Sequence, residues 1–334
     1  MVVGRVEPVE FDSELKPSGG ALLERASIAV LVPCYNEAMT ITDVVASFRA
    51  ALPSAKIYVY DNNSTDGTAE IARQAGAIVR RELRQGKGNV VRRMFADVEA
   101  DLYVLVDGDG TYDAAAAPVL IRMLLEDQLD FVNGARLSTS SEAYRRGHRF
   151  GNRLLSSLIR LNFGRQFRDI LSGYKVLSRR FVKSFPAMSR GFETETELAV
   201  HALELRMPCA ESETVYKERP EGSVSKLNTY RDGSRILLLI LRLVKDERPL
   251  QFFGLIGLAL VLVAGFLSVP LIVTYLETGL VPRLPTAVLV VGLVVLGVLS
   301  FLSGLILDMT TRTRQELKRL FYLAIPSTRG SDDL

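Results

Sequence analysis

Two long apolar runs near the C-terminus constrain this chain more than any other feature. Residues 252–276 carry no charged side chain across 25 positions, and residues 286–307 carry none across 22. About 20 apolar residues in a helix cross the hydrocarbon core of a bilayer, so each run is long enough to span one. Buried core helices are the competing reading, and two runs of this length count against it. Pro270 is expected to kink the first span. The short connection 277–285 makes the pair a hairpin, with both outer ends on one side. Arg242, Lys245 and Arg248 precede the first span, and Arg312, Arg314, Lys318 and Arg319 follow the second, while the connection holds only Arg283. This asymmetry predicts an integral protein of the inner or plasma membrane, with the preceding polar region and both termini in the cytoplasm. Residues 1–26 read as a flexible leader, and residues 1–25 lack the apolar stretch of a signal peptide.

Away from the runs the chain looks like an ordinary soluble protein. Residues 1–250 hold 35 basic and 33 acidic side chains, and the full 334 residues have a net charge of +3. A wholly soluble protein, a polytopic channel and a disordered chain are thereby excluded. So small a net charge gives no reason to expect a nucleic-acid partner. Cys34 and Cys209 are too few for a disulfide framework.

The polar region alternates strand and helix patterns. Apolar strands are expected at 27–37 (ending at Pro33), Lys56–Asp61, Ala77–Arg80, Leu102–Asp107 and Asp130–Gly134. Helices are expected at Ala38–Ala51, Thr68–Ala75, Gly88–Ala100 and Pro118–Asp127. Such alternation predicts an α/β fold with a mostly parallel sheet, whose ligands collect at the carboxyl ends of the strands. The predicted organisation is a domain over 27–228, a juxtamembrane amphipathic segment over 229–250, two membrane helices within 251–308 and a tail over 309–334.

Polar clusters follow three of these strands. In VLVDGDGTYD, Asp107 and Asp109 stand two apart with no basic neighbour in the sequence. Two such carboxylates repel unless a cation lies between them, and hard oxygen donors suit Mg2+ or Mn2+. A solvated acidic turn is the plainer reading. The EF-hand pattern does not fit, because Tyr112 and Pro118 occupy its Gly and Glu positions. In DNNSTDGT, Asp61 and its neighbours suit the hydroxyls or base of a nucleotide, and the same residues make a capped turn. In RQGKGN, Lys87 between two glycines suits a phosphate, although the Walker spacing is absent.

PCYNE (33–37), DNNSTDG (61–67), GKG (86–88) and DGDG (107–110) occur in this order, and the set resembles the inverting family 2 glycosyltransferases of GT-A fold. The resemblance implies a nucleotide-sugar donor. Pro33, Tyr35, Glu37, Asp61 and Asn63 would line its nucleoside, Lys87 and Gly108 would lie against the donor, and Asp107 and Asp109 would hold the metal on the diphosphate. RDILSGYKVLSRRF (168–181), GFETETEL (191–198) and the segment 216–237 extend the likeness to dolichol-phosphate mannose synthase and the polyisoprenyl-phosphate glycosyltransferases. Where some synthases carry Gln two residues after the second metal-site Asp, this chain has Thr111, which leaves Asp113 or water as the third ligand.

A lipid phosphate acceptor has a physical argument of its own. Arg219, Ser223, Ser225, Lys226 and Arg231 cluster just ahead of the first span, and cations with hydroxyls suit a multi-oxygen phosphate. Residues 236–244 and 149–168 read as amphipathic stretches against a membrane, a partner helix or the core. The resemblance assigns Asp169 the role of base or organiser, and Arg136 is a candidate for a donor or acceptor phosphate. Glu193, Glu195 and Glu197 are candidates for sugar contacts or surface positions. His148 and His201 are isolated, and Ser172 has no His partner in the sequence. The predicted reaction gives a polyprenyl-phosphate sugar, with UDP-glucose the first donor and GDP-mannose the second. A hydroxyl acceptor and a non-catalytic membrane scaffold are the alternatives. The absence of Trp excludes the Q-x-x-R-W motif of processive synthases. The glycines of the second span offer a packing face for a homo-oligomer.

Overall fold

The computed structural model describes residues 26–138, 167–191, 193–217, 238 and 245–326. Its strands are β1 (Ile28–Cys34), β2 (Lys56–Asp61), β3 (Ile78–Arg81), β4 (Leu102–Leu105), β5 (Phe131–Ser138), β6 (Lys175–Ser178) and β7 (Cys209–Tyr216). They form one sheet in the order β3-β2-β1-β4-β6-β5-β7. The pairs β1–β2, β1–β4, β2–β3 and β5–β7 are parallel, and β6 runs antiparallel to β4 and β5. The mostly parallel α/β sheet is the one the alternating pattern predicts.

Burial explains the order. The central β1 and β4 are apolar throughout and packed on both faces, as strands covered by helices must be. At one edge β3 (IVRR) is mostly exposed and ends in two arginines, which discourage further pairing. Helices α1 (Ile41–Ala51), α2 (Thr68–Gln74) and α4 (Ala117–Glu126) cover one face, with Phe48, Ile41 and Leu120 packed on Val30 and Val104. Helices α3 (Lys87–Asp97), α5 (Arg179–Ser184) and α6 (Thr194–Glu204) cover the other, with Met94, Phe181 and Leu198 packed on Leu31 and Tyr103. From β1 the chain builds outward to β2 and β3, then returns to place β4 on the opposite side. The carboxyl ends of β1 and β4 therefore flank a topological switch point, where an open α/β sheet has its crevice.

The apolar runs form α7 (Pro249–Thr278) and α8 (Leu284–Leu323), which lie against each other as a hairpin. Both are long and apolar enough to cross a membrane, and α7 continues through Pro270. A Cβ on Gly257 would come within 2.7 Å of the Gly297 carbonyl oxygen, so glycine lets the two backbones approach. Ser300 donates to the Phe253 carbonyl across the same seam at 2.9 Å. Gly257, Gly297 and Gly304 thus line the seam of the hairpin itself. Phe266, Leu276 and Ile306 remain on the outside, a surface suited to lipid rather than water. At 1.5 Å per residue the 40 residues of α8 extend about 60 Å, roughly twice a bilayer core. The helix runs unbroken past Leu307 through the first part of the expected tail.

Candidate active site

Three loops at the switch point are tied to one another. After β1, Asn36 accepts from the backbone N–H of Thr65 through Oδ1 at 2.8 Å, and its own N–H donates to Ser64 Oγ at 2.9 Å. The Glu37 N–H donates to Thr68 Oγ1 at 2.8 Å, and the Ala38 N–H to Asp66 Oδ2 at 3.0 Å. Asn36 and Asn63 both take positive φ, 53° and 64°, a conformation asparagine tolerates better than most side chains. Thr40 Oγ1 donates to the Gly108 carbonyl at 2.7 Å, which joins this pair of loops to the one after β4. Asp61 is buried and accepts from the Ser64 N–H at 3.3 Å, so the turn and the polar pocket are built from the same residues. Tyr35 is the exposed aromatic of the first loop.

Lys87 stands at the centre. Asn62 Oδ1 accepts from the Gly86 N–H at 2.7 Å, and the Arg190 carbonyl accepts from the Gly88 N–H at 3.1 Å, fixing the start of α3 from both sides. The Lys87 ammonium forms ion pairs with Asp107 and Glu195. Burial disfavours its charge, but the two carboxylates outweigh burial and hold its pKa above the ordinary lysine value. This corrects the expectation that the aspartate pair has no basic neighbour: Lys87 is 20 residues away in sequence and the fold brings it to Asp107. Asp109 is 4% exposed and accepts from Thr111 Oγ1 at 2.6 Å and from the Thr111 N–H at 3.2 Å. Thr111 thus orients Asp109, while Asp113 faces Lys217 at 3.6 Å.

A second centre lies on β5 and the loop before β6. Arg136 grips Asp169 through Nε and Nη2, both at 2.7 Å, and its backbone N–H donates to the same carboxylate at 3.1 Å. Burial raises the Asp169 pKa, and Arg136 overrides it, holding the carboxyl below its usual value. Glu211 of β7 accepts from the N–H groups of Arg168 and Asp169 and from Asn133 Nδ2, which clamps the loop. Lys175 is fully buried and donates to Asn133 Oδ1 at 3.1 Å and to the Ser172 carbonyl. Burial pushes it down to about 8; Glu195 and Asp169 oppose the fall, and Lys87 and Arg136 add to it. Ser172 Oγ donates to the Gly134 carbonyl, and His201 contacts Ser184 instead.

The two centres are joined through Gly173. Its N–H donates to Tyr112 Oη at 2.7 Å, and a Cβ there would lie 2.2 Å from Asp107 Oδ2. Gly173→Ala is therefore expected to keep the fold, since Gly173 is not among the glycines with positive φ and Asp107 can swing aside, yet lower the catalytic rate about 100-fold. Thermal melting beside steady-state rates checks this; an active Ala variant would remove Gly173 from the site.

The carboxylate donor set fits a hard divalent cation. Asp107 and Asp109 supply oxygens beside a residue with no room for a Cβ, and the second carboxylate oxygen of Glu195 is buried without a hydrogen bond. Among the described residues no group of three His, Cys, Asp or Glu side chains encloses a metal, so other oxygens would complete its shell. Lys175 was not among the expected site residues, and Glu195 was one of three glutamates that shared a single expected sugar contact. Three glutamates in alternation do not indicate which one faces inward, and Lys175 opens a strand of only four residues, too short a pattern to mark it as buried. Arg219, Ser223, Ser225, Lys226 and Arg231 lie outside the described residues, as do most of 149–168 and of 229–244.

Comparison with known proteins matches residues 29–185 to the family model Glycosyl transferase family 2. The chain is 38% identical over 235 residues to the glycosyltransferase AglJ of Haloferax volcanii, covering 70% of this chain and 77% of that protein. It is 27% identical to a dolichyl-phosphate hexose transferase of the same organism, covering 66% of this chain and 95% of the other. The glucosyl-3-phosphoglycerate synthase of Mycobacterium tuberculosis, solved with Mn2+, UDP and glucosyl-3-phosphoglycerate, superposes with a TM-score of 0.55 at 22% identity, over 67% of this chain and 81% of that one.

Proposed function

Since the chain belongs to glycosyl transferase family 2, we propose that it transfers a hexose from a nucleoside-diphosphate sugar to a polyisoprenyl phosphate at the cytoplasmic face of a membrane, with inversion. The observation that carries this reading is the pairing of two charged centres, Lys87–Asp107–Glu195 and Arg136–Asp169, on a domain that continues into an apolar hairpin. The first centre suits a diphosphate and the second an anionic acceptor. Similarity to a dolichyl-phosphate hexose transferase supports the lipid acceptor, and the UDP-bound synthase favours UDP-glucose as donor over GDP-mannose.

An oxygen of the lipid phosphate attacks the anomeric carbon as the bond to the donor diphosphate breaks, and the bonding pair leaves with the nucleoside diphosphate. A phosphate monoester, with a second pKa of about 6, is already mostly ionised near neutral pH. Asp169, held ionised and gripped at both oxygens by Arg136, is too weak a base to be needed for proton removal. The pair instead orients the acceptor, with the guanidinium facing its negative charge. Lys87 faces charge that builds on the leaving diphosphate, in a site dry enough for one ammonium to matter. Mg2+ or Mn2+ held by Asp107 and Asp109 would neutralise the same diphosphate. Asp61 suits the ribose hydroxyls, and Tyr35 has the exposed ring a base needs for stacking.

The test uses the full chain in membranes with labelled nucleotide sugars and a polyprenyl phosphate, with and without EDTA. The expected product is a lipid whose label is released by mild acid and whose formation stops with the chelator. An acid-stable product would replace the phosphate acceptor with a hydroxyl, and no transfer from any donor would overturn the reading.

A further inference from the structure

Beyond Leu307 the apolar run ends, yet α8 continues from Asp308 to Tyr322, about 21 Å further. This polar stretch is docked at two points. Tyr322 Oη donates to Asp130 Oδ2 at 2.6 Å, and the Arg180 guanidinium lies 4.9 Å from the centroid of the Tyr322 ring. The buried Asp130 also accepts from Arg180 Nε and Ser178 Oγ, each at 2.6 Å. One turn earlier, Lys318 Nζ donates to both oxygens of Glu204, at 3.0 and 2.8 Å, and lies 3.9 Å from Glu247. Glu247 also pairs with Arg314 and accepts from Gln315 Nε2 at 3.0 Å. Thr311 Oγ1 donates to the Asp246 carbonyl at 2.9 Å. Burial and Glu247 together push Glu204 up to about 7 against the pull of Lys318, so the two carboxylates depend on the cation from α8.

Both docking points lie on elements that reach the site. Asp130 immediately precedes β5, which carries Arg136 six residues on. Glu204 ends α6, whose first turn carries Glu195. The helix therefore grips the ends of β5 and α6 remote from those side chains.

We propose that residues 308–323 form a strut that sets the orientation of the transferase domain over the bilayer, with Lys318 and Tyr322 as positioning residues for a membrane-embedded acceptor. The inference rests on the lipid-phosphate reading above. A rod continuous with a membrane span holds a fixed angle that a flexible link would not. Tethering speeds a reaction only when geometry lets both partners meet.

The full chain in lipid vesicles is compared with Lys318→Ala/Tyr322→Phe, using a long-chain polyprenyl phosphate in the bilayer and a short-chain isoprenyl phosphate in solution. The double variant is expected to lose tenfold or more on the embedded acceptor and less than twofold on the soluble one, and Lys318→Arg in a Tyr322 background to retain wild-type rates. Equal losses on both acceptors, or none on either, would overturn the strut. If the unaltered chain used neither acceptor, the lipid-phosphate reading would fail instead. Quenching by headgroup-linked quenchers of a fluorophore at Leu83→Cys, an exposed position beside the site, would then decide the strut. A twofold or larger change in the double variant supports it, and unchanged quenching rejects it.

Discussion

Asp107→Asn and Asp109→Asn each lower sugar transfer by a factor of about 10²–10³, the loss expected when a charge-stabilising group leaves a preorganised site. The two differ in what else they disturb. Asparagine at 109 keeps an oxygen for the Thr111 hydroxyl and N–H, so its melting temperature stays near that of the parent. Alanine there leaves the fully buried Thr111 hydroxyl unpaired and costs about 1–3 kcal/mol in addition. Asparagine at 107 removes the Asp107 carboxylate from Lys87 and leaves its ion pair with Glu195. Titration with Mn2+, read by electron paramagnetic resonance in the presence of UDP, separates metal loss from misfolding. Undiminished Mn2+ affinity in both variants would take the metal away from this pair.

Arg136→Met is the second large effect, and it acts on stability and pH dependence together. Of its three bonds from Arg136, Asp169 loses the two to the guanidinium and keeps the one from the backbone N–H. A buried carboxylate without its counter-charge costs about 3–5 kcal/mol. In the parent the Asp169 pKa is depressed, so its contribution to stability is complete above the unfolded value of about 3.9. That contribution is lost as pH falls through the lower folded value. In the variant the backbone N–H and the Lys175 charge still oppose burial but the guanidinium does not, so the pKa rises and the acidic limb of the pH–rate profile moves toward neutrality. Arg136→Lys keeps the charge without the fork and falls between the two. Rate profiles from pH 4 to 8 decide the matter; an unmoved acidic limb in Arg136→Met would detach Asp169 from the chemistry.

The strand ends around the switch point were legible because they follow continuous apolar runs. β1, β2 and β4 are buried on both faces, so their patterns end where the loops begin, and Asp61, Asp107 and Asp109 sit just there. Legibility faded in β6 and β7. β6 is four residues long with Lys175 at its start, and β7 is a half-exposed edge strand carrying Glu211 and Glu213, so neither shows an apolar run. The partners of the charged residues faded for a different reason. Lys87 meets Glu195 across 108 positions, and Arg136 meets Asp169 across 33. Nothing local marks which carboxylate a buried cation will choose, because the choice follows from which strands adjoin.

The hairpin, the alternation of strand and helix, and the order of the acidic loops were all present in the linear pattern, since each rests on local hydrophobicity and short-range turn chemistry. The tertiary structure alone decided that Lys87 neutralises Asp107, that Arg136 is committed to Asp169, and that the second span continues as a docked helix to Leu323. Each of these is a long-range electrostatic match. Burying a charge is costly without a partner, and only the folded sheet brings that partner within reach.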